Sequence, residues 1–177
     1  MLAGARRLVI HHRYGGPVTH LGAPRVRLAG PEDLAALGHL LHDFNREFEE
    51  PAPAPAVLAA RLGRLLEHGD TEVLVVGDGP DGPHGLAVLR FRLALWTEGL
   101  ECYLAELYVV PSRRGRGLGR ALVEEALGQA RRRGADTMDI GVDEPDLAAR
   151  RLYESLGFTN RSGGEGGPLM YVYERDL

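Results

Sequence analysis

Residues 113–120 read Arg-Arg-Gly-Arg-Gly-Leu-Gly-Arg, and their types and spacing could do chemistry. An apolar, aromatic and β-branched run precedes them at 103–110, Pro111 breaks that run, and an amphipathic helical pattern follows over about 117–133. The first turn of a helix leaves about four backbone N–H groups without intrahelical partners. The helix dipole adds partial positive charge at the same end. Gly115, Gly117 and Gly119 have no Cβ to hold a ligand off the backbone, and Arg113, Arg114, Arg116 and Arg120 bring guanidinium forks to the same place. The pattern points to a socket for phosphate or pyrophosphate. A Gly-rich turn with solvated arginines is the plainer alternative. Glu106 is the one carboxylate inside the apolar run. Burial raises a carboxylate's basicity, so Glu106 is a candidate general base, or else a structural partner for an arginine.

The socket is not a P-loop, which needs a Lys after its last Gly, because the chain contains no lysine. A literal G-x-G-x-x-G occurs at 77–82, but prolines and another strand pattern follow it. Without a helix N-terminus it reads as a hairpin loop.

The elements that must position these residues follow from periodicity. A first strand is expected at 24–28, and Gly30-Pro31-Glu32-Asp33 opens a helix carrying Leu34, Leu37, Leu40, Leu41 and Phe44 at 3.6-residue spacing. The Pro-Ala link at 51–55 leads to a second helix at 54–68. Strands are expected at 71–76, 85–95 and 100–110, with a hairpin turn at 96–99. The helix over 117–133 should bury Leu118, Ala121, Leu122, Ala126 and Leu127 and end on a left-handed Gly134. A strand at 137–142, a helix from Asp146 to Leu156 and a final strand region from Phe158, with a loose Gly-rich loop at 163–167 before 169–173, complete the order. This is an α/β chain with a mixed sheet, read as one domain at 24–177 behind an N-terminal extension at 1–23.

Composition narrows the function classes. A formal net charge of −4 argues against a nucleic-acid or membrane-surface binder, and no apolar run approaches the 18 or so residues of a membrane span. Cys102 is the only cysteine and sits in an apolar strand, so it reads as core. His11, His12 and His20 lack accompanying ligands, and His39, His42 and Asp43 read as a polar helix face, so no metal is expected.

Arg114-x-x-Gly117-x-Gly119, after a strand ending Val-Val-Pro, resembles the acetyl-CoA motif of the GNAT superfamily of N-acetyltransferases. Asp146-x-x-Ala149-x-x-Leu152-Tyr153-x-x-Leu156-Gly157-Phe158 resembles that family's second signature. The resemblance spans roughly 25–174. It implies a three-layer αβα fold with a splayed central strand pair and acetyl-CoA as cosubstrate. Leu107, Tyr108 and Val109 would offer backbone groups to the pantetheine arm. The segment Arg114, Gly115, Arg116, Gly117, Leu118, Gly119 and Arg120 would offer N–H groups to the pyrophosphate. Tyr153 would be the acid that protonates the leaving thiolate; a core aromatic is its plainer role. Where the family often carries Asn, this chain has Asp146, which cannot donate when ionised; a cofactor contact and a helix cap are its two readings.

The implied reaction is acetyl transfer to a primary amine, first of a small molecule and second of a protein N-terminus or lysine. Asp43, Glu47, Glu49 and Glu50 fall where the family's acceptor cleft lies, and they would suit a cationic acceptor or form a solvated helix end. A non-catalytic acetyl-CoA-binding module stays open as a different class. Cytoplasmic residence is expected, and a homodimer is open.

Overall fold

The computed structural model describes residues 24–77 and 82–175. The expected extension at 1–23 and the middle of the 77–82 loop lie outside the described residues. The elements are β1 (Val26–Leu28), α1 (Leu34–Glu47, entered through a 3-10 turn at Pro31–Asp33), α2 (Pro55–Glu67), β2 (Thr71–Val76), β3 (Gly85–Leu93), β4 (Leu100–Val109), α3 (Leu118–Arg132), β5 (Ala135–Ile140) and α4 (Leu147–Ser155). Among the described residues they form a five-stranded sheet in the order β1-β2-β3-β4-β5. The first four strands run antiparallel, and β5 lies parallel to β4.

Helices cover both faces, so the expected αβα layering holds. On one face Leu37, Leu40 and Phe44 of α1 and Leu62 of α2 bury against Val73, Val75, Leu86, Val88 and Tyr108. On the other, Leu122, Val123, Ala126 and Ala130 of α3, with Ala149 and Tyr153 of α4, pack on Leu89, Leu104, Leu107 and Val109. Of the expected α3 stripe, Leu122 and Ala126 are buried and Leu118 and Leu127 pack at the edge of the core, with Val123 and Ala130 added to it. Gly38 lets α1 and α2 approach closely, since a Cβ there would collide with the Pro55 carbonyl oxygen and Ala59. Gly134 takes the expected left-handed conformation at φ 80° and closes α3.

Three expectations need correction. β3 ends at Leu93, and β5 runs 135–140 because its register with β4 begins at Ala135 opposite Leu100. Among the described residues no strand forms from Phe158 onward. A single antiparallel bridge, Arg161 to Leu169, spans a loop whose Gly163, Gly164 and Gly166 all have positive φ. Residues 169–173 are exposed.

No helix among the described residues is long and apolar enough to cross a membrane.

Candidate active site

The site begins where β4 parts from β5. β4 pairs with β3 as far as Val109 opposite Gly85, but its pairing with β5 stops at Leu104 opposite Ile140. Residues 106–109 therefore have one paired edge and one open edge. Val110 N–H donates to the His84 carbonyl at 2.9 Å, which fixes the alternation. Tyr108 turns its backbone groups to β3, and Leu107 and Val109 turn theirs to the open edge. The expected splay is present, and Leu107 and Val109 are the residues whose peptide groups face it.

The open edge leads into the N-terminus of α3. Gly117 is its N-cap at φ 79°, with no side-chain cap on the first turn. A Cβ on Gly115 or Gly117 would meet nothing within 4 Å, so these glycines are required by their positive φ and stand beside open space. Ala121 N–H makes the first helical bond, to Gly117 O at 3.0 Å. The preceding N–H groups, on Leu118, Gly119 and Arg120, precede any intrahelical bond.

The arginines of this turn part company. Arg116 is exposed. Arg120 reaches to α4 and donates to Ser155 Oγ at 2.6 Å. Arg114 folds inward and is 7% exposed at its side chain. Its Nε donates to Val109 O at 2.8 Å, and its terminal nitrogens donate to the two carboxylate oxygens of Glu47 at 2.6 and 2.7 Å. The guanidinium also lies 5.6 Å from the centroid of the Tyr108 ring, which packs 5.2 Å from Phe44. Burial first and the neighbouring Glu47 next push the Tyr108 phenol up to about 12. Sequence reasoning named both Glu47 and Arg114 but not their pairing. They stand 67 residues apart, and no linear spacing announces a contact of that range.

Glu106 and Tyr153 lie on opposite sides of the sheet. Glu106 shares the parity of Tyr108 and so faces the α1 layer, half-buried. Tyr153 lies 4% exposed in the α3–α4 core, its ring 5.9 Å from Phe158. Burial, then the carboxylate of Asp146, pushes its phenol above the ordinary tyrosine range. Asp146 caps α4, with Oδ1 accepting the Ala149 N–H at 3.0 Å. Its Oδ2 is buried with no partner in the protein. Burial raises the Asp146 pKa above the usual carboxylate value, against the N–H groups of Ala149 and Ala148 and the charge of Arg114. Asp43 is exposed on α1, and Glu49 and Glu50 are exposed beyond its end. Among the described residues no three His, Cys, Asp or Glu side chains gather as a metal site would need.

A strand gap lined by peptide groups, running into a bare helix N-terminus, is built for a long ligand with amides along it and a phosphate at its end. The chain belongs to the acetyltransferase (GNAT) family, whose model matches residues 36–158. It is 41% identical over 124 residues to the mycothiol acetyltransferase of Thermobispora bispora, a match covering 67% of this chain and 35% of that protein. It is 43% identical over 53 residues to the L-methionine sulfoximine/L-methionine sulfone acetyltransferase of Salmonella typhimurium, covering 30% of this chain and 31% of that one. The chain thus spans about a third of the length of these curated relatives. A crystal structure from Arthrobacter sp. FB24, assigned as an acetyltransferase, superposes with a TM-score of 0.77 at 43% identity, covering 92% of this chain and all of that one.

Proposed function

We propose that this chain moves the acetyl group of acetyl-CoA to a primary amine of a small molecule, by direct attack within a ternary complex. The observation that carries this reading is the open edge of β4, where Leu107 and Val109 face a gap that ends at the uncapped start of α3. The amide-bearing arm of the cosubstrate lies along that edge as an added strand. Its pyrophosphate meets the N–H groups of the 114–120 turn. Asp146 suits the same ligand, because its orphaned, buried Oδ2 is an acceptor that an amide N–H would satisfy.

The chemistry then divides among a few groups. An alkyl amine has a pKa near 10, so on the order of 0.1% is neutral at pH 7 and able to attack. Glu106 takes the amine's proton, directly or through water, as the new N–C bond forms. The Val109 N–H polarises the thioester carbonyl. Tyr153 gives its proton to the thiolate as the C–S bond breaks, and its raised pKa keeps that proton in place beforehand. Most of the remaining rate comes from holding thioester and amine together. The names of the two curated relatives support a small-molecule acceptor, and the exposed Asp43, Glu49 and Glu50 favour a cationic one.

Thermal unfolding with acetyl-CoA, CoA and ATP side by side tests the site. A ligand at about 100 times its Kd adds roughly 2.7 kcal/mol to stability. Stabilisation by both CoA species and not by ATP is expected; a response to none of them overturns the reading. Thiol release with acetyl-CoA and glucosamine, spermidine, kanamycin, methionine sulfoximine or a lysine-containing peptide then tests turnover. CoA binding without turnover on any of these marks a non-catalytic module.

A further inference from the structure

Arg114 and Glu47 have the charges expected of ligand-binding groups, a guanidinium for phosphate and a carboxylate for a cationic amine. In the structure each is spent on the other. Three N–H groups of Arg114 are bonded within the protein, one to Val109 O at 2.8 Å and two to Glu47 at 2.6 and 2.7 Å. The guanidinium is therefore neutralised by Glu47 and tied down by bonds within the protein.

The contact to Val109 has a consequence for the open edge. N–H and C=O of one strand residue point the same way. The carbonyl that Arg114 holds therefore belongs to the residue whose N–H faces the gap. Glu47, at the other end of the fork, is the last residue of α1. Just beyond it Glu49 adopts φ 58° and the chain leaves in a proline-rich link. One bidentate fork thus joins the gap edge of β4 to the end of the helix that carries Phe44, the partner of Tyr108. Bidentate pairs of this kind fix geometry as well as charge.

We infer that Glu47, acting through Arg114, is a positioning residue for acetyl transfer: the fork sets the Val109 peptide and holds the end of α1 at one distance from it. This rests on the acetyltransferase reading above. A misplacement of about 1 Å can cost on the order of 100-fold in rate, so the fork should show in kcat and not in binding.

The test replaces the whole pair with apolar residues, Glu47→Leu with Arg114→Met, because buried ion pairs exchanged for apolar side chains often keep their stability. CoA affinity by calorimetry and KM for acetyl-CoA should stay within about twofold, while kcat on the best amine of the panel falls roughly 10- to 100-fold. Arg114→Lys should not restore it, since one ammonium cannot make a fork. A KM for acetyl-CoA raised with kcat kept makes Arg114 a phosphate ligand and overturns the inference. A KM raised for the amine alone makes Glu47 an acceptor ligand and overturns it too, as does a wild-type kcat. Should the double variant not fold, Glu47→Gln is read by the same split. Wild-type protein that neither binds CoA nor turns over an amine sinks the acetyltransferase reading itself, before any variant is made.

Discussion

Leu104 and Leu107 of β4 lie on the same face of the sheet, both buried in the core beneath α3 and α4. Strict alternation would send them to opposite faces. The register resolves this: Leu104 stands opposite Leu89 and Glu106 opposite Val88, so Ala105 is an inserted residue with no partner on β3. Such bulges bend a strand and sharpen its twist. This one falls immediately after Leu104, the last residue of β4 to pair with β5.

Deleting Ala105 should therefore separate folding from binding. Every downstream residue keeps its face and its partner on β3, so the variant should fold with a melting temperature within a few degrees of wild type. The bend is lost, and the straightened strand can follow β5 further and narrow the gap. Stabilisation by CoA should fall or vanish. A deletion variant that still responds to CoA in full would show that the bulge does not create the opening.

Asp33 predicts the acid limb of stability. Its carboxylate takes a bidentate pair from Arg27 at 2.6 and 2.8 Å and the Gly30 N–H at 2.9 Å. Arg27 foremost holds its pKa below the usual 3.8. A depressed pKa means that this stabilisation is present above the unfolded value and is lost as pH falls through the folded one. Asp33→Asn should cost about 1 kcal/mol at pH 7, discounted because Arg27 is 34% exposed. Urea midpoints at pH 7 and below pH 4 check it: the gap between the two proteins should close on the acid side.

Tyr153→Phe removes a single oxygen from a site that is 4% exposed. Packing against Phe158 is kept, so stability and CoA affinity should change little. Turnover should drop roughly 10²- to 10⁴-fold, the usual range for a positioned proton donor. The raised phenol pKa adds a second readout. Wild-type kcat should show no descending limb from this tyrosine at least through pH 9. Unchanged turnover in the Phe variant would return Tyr153 to its plain role as a core aromatic.

Much of this was legible before the fold was known, because it is local. The Arg-Gly turn, the strand before it and the Asp146-to-Phe158 segment that holds α4 each carry their signal in consecutive residues. The failures are the contacts that no window contains. The bulge at Ala105 depends on the register with β3, and the fork from Arg114 to Glu47 joins residues 67 apart. The region after Phe158 has strand-like side chains, yet its glycines at positive φ set the backbone there, and the apolar residues 169–173 lie exposed.

Asp146 yields the prediction with two opposed signs. Its raised pKa means that the charged carboxylate is less favourable in the folded chain than in the unfolded one. That cost is full above the folded pKa and is relieved as pH falls to the unfolded value near 3.8. Asp146→Asn keeps an oxygen for the Ala149 N–H and removes the charge, so it should gain about 1 kcal/mol at pH 7 and nothing in acid. Binding should move the other way. With its oxygen on Ala149, Asn turns an NH₂ group to the place where Oδ2 now stands. An amide N–H of the cosubstrate would meet a donor there instead of an acceptor, and CoA affinity should weaken about tenfold, or 1.4 kcal/mol. Melting temperatures at pH 7 and pH 4, with and without CoA, read both effects from one protein. Tighter CoA binding in the Asn variant would mean that Oδ2 accepts nothing from the cosubstrate, and Asp146 would then act only as the cap of α4.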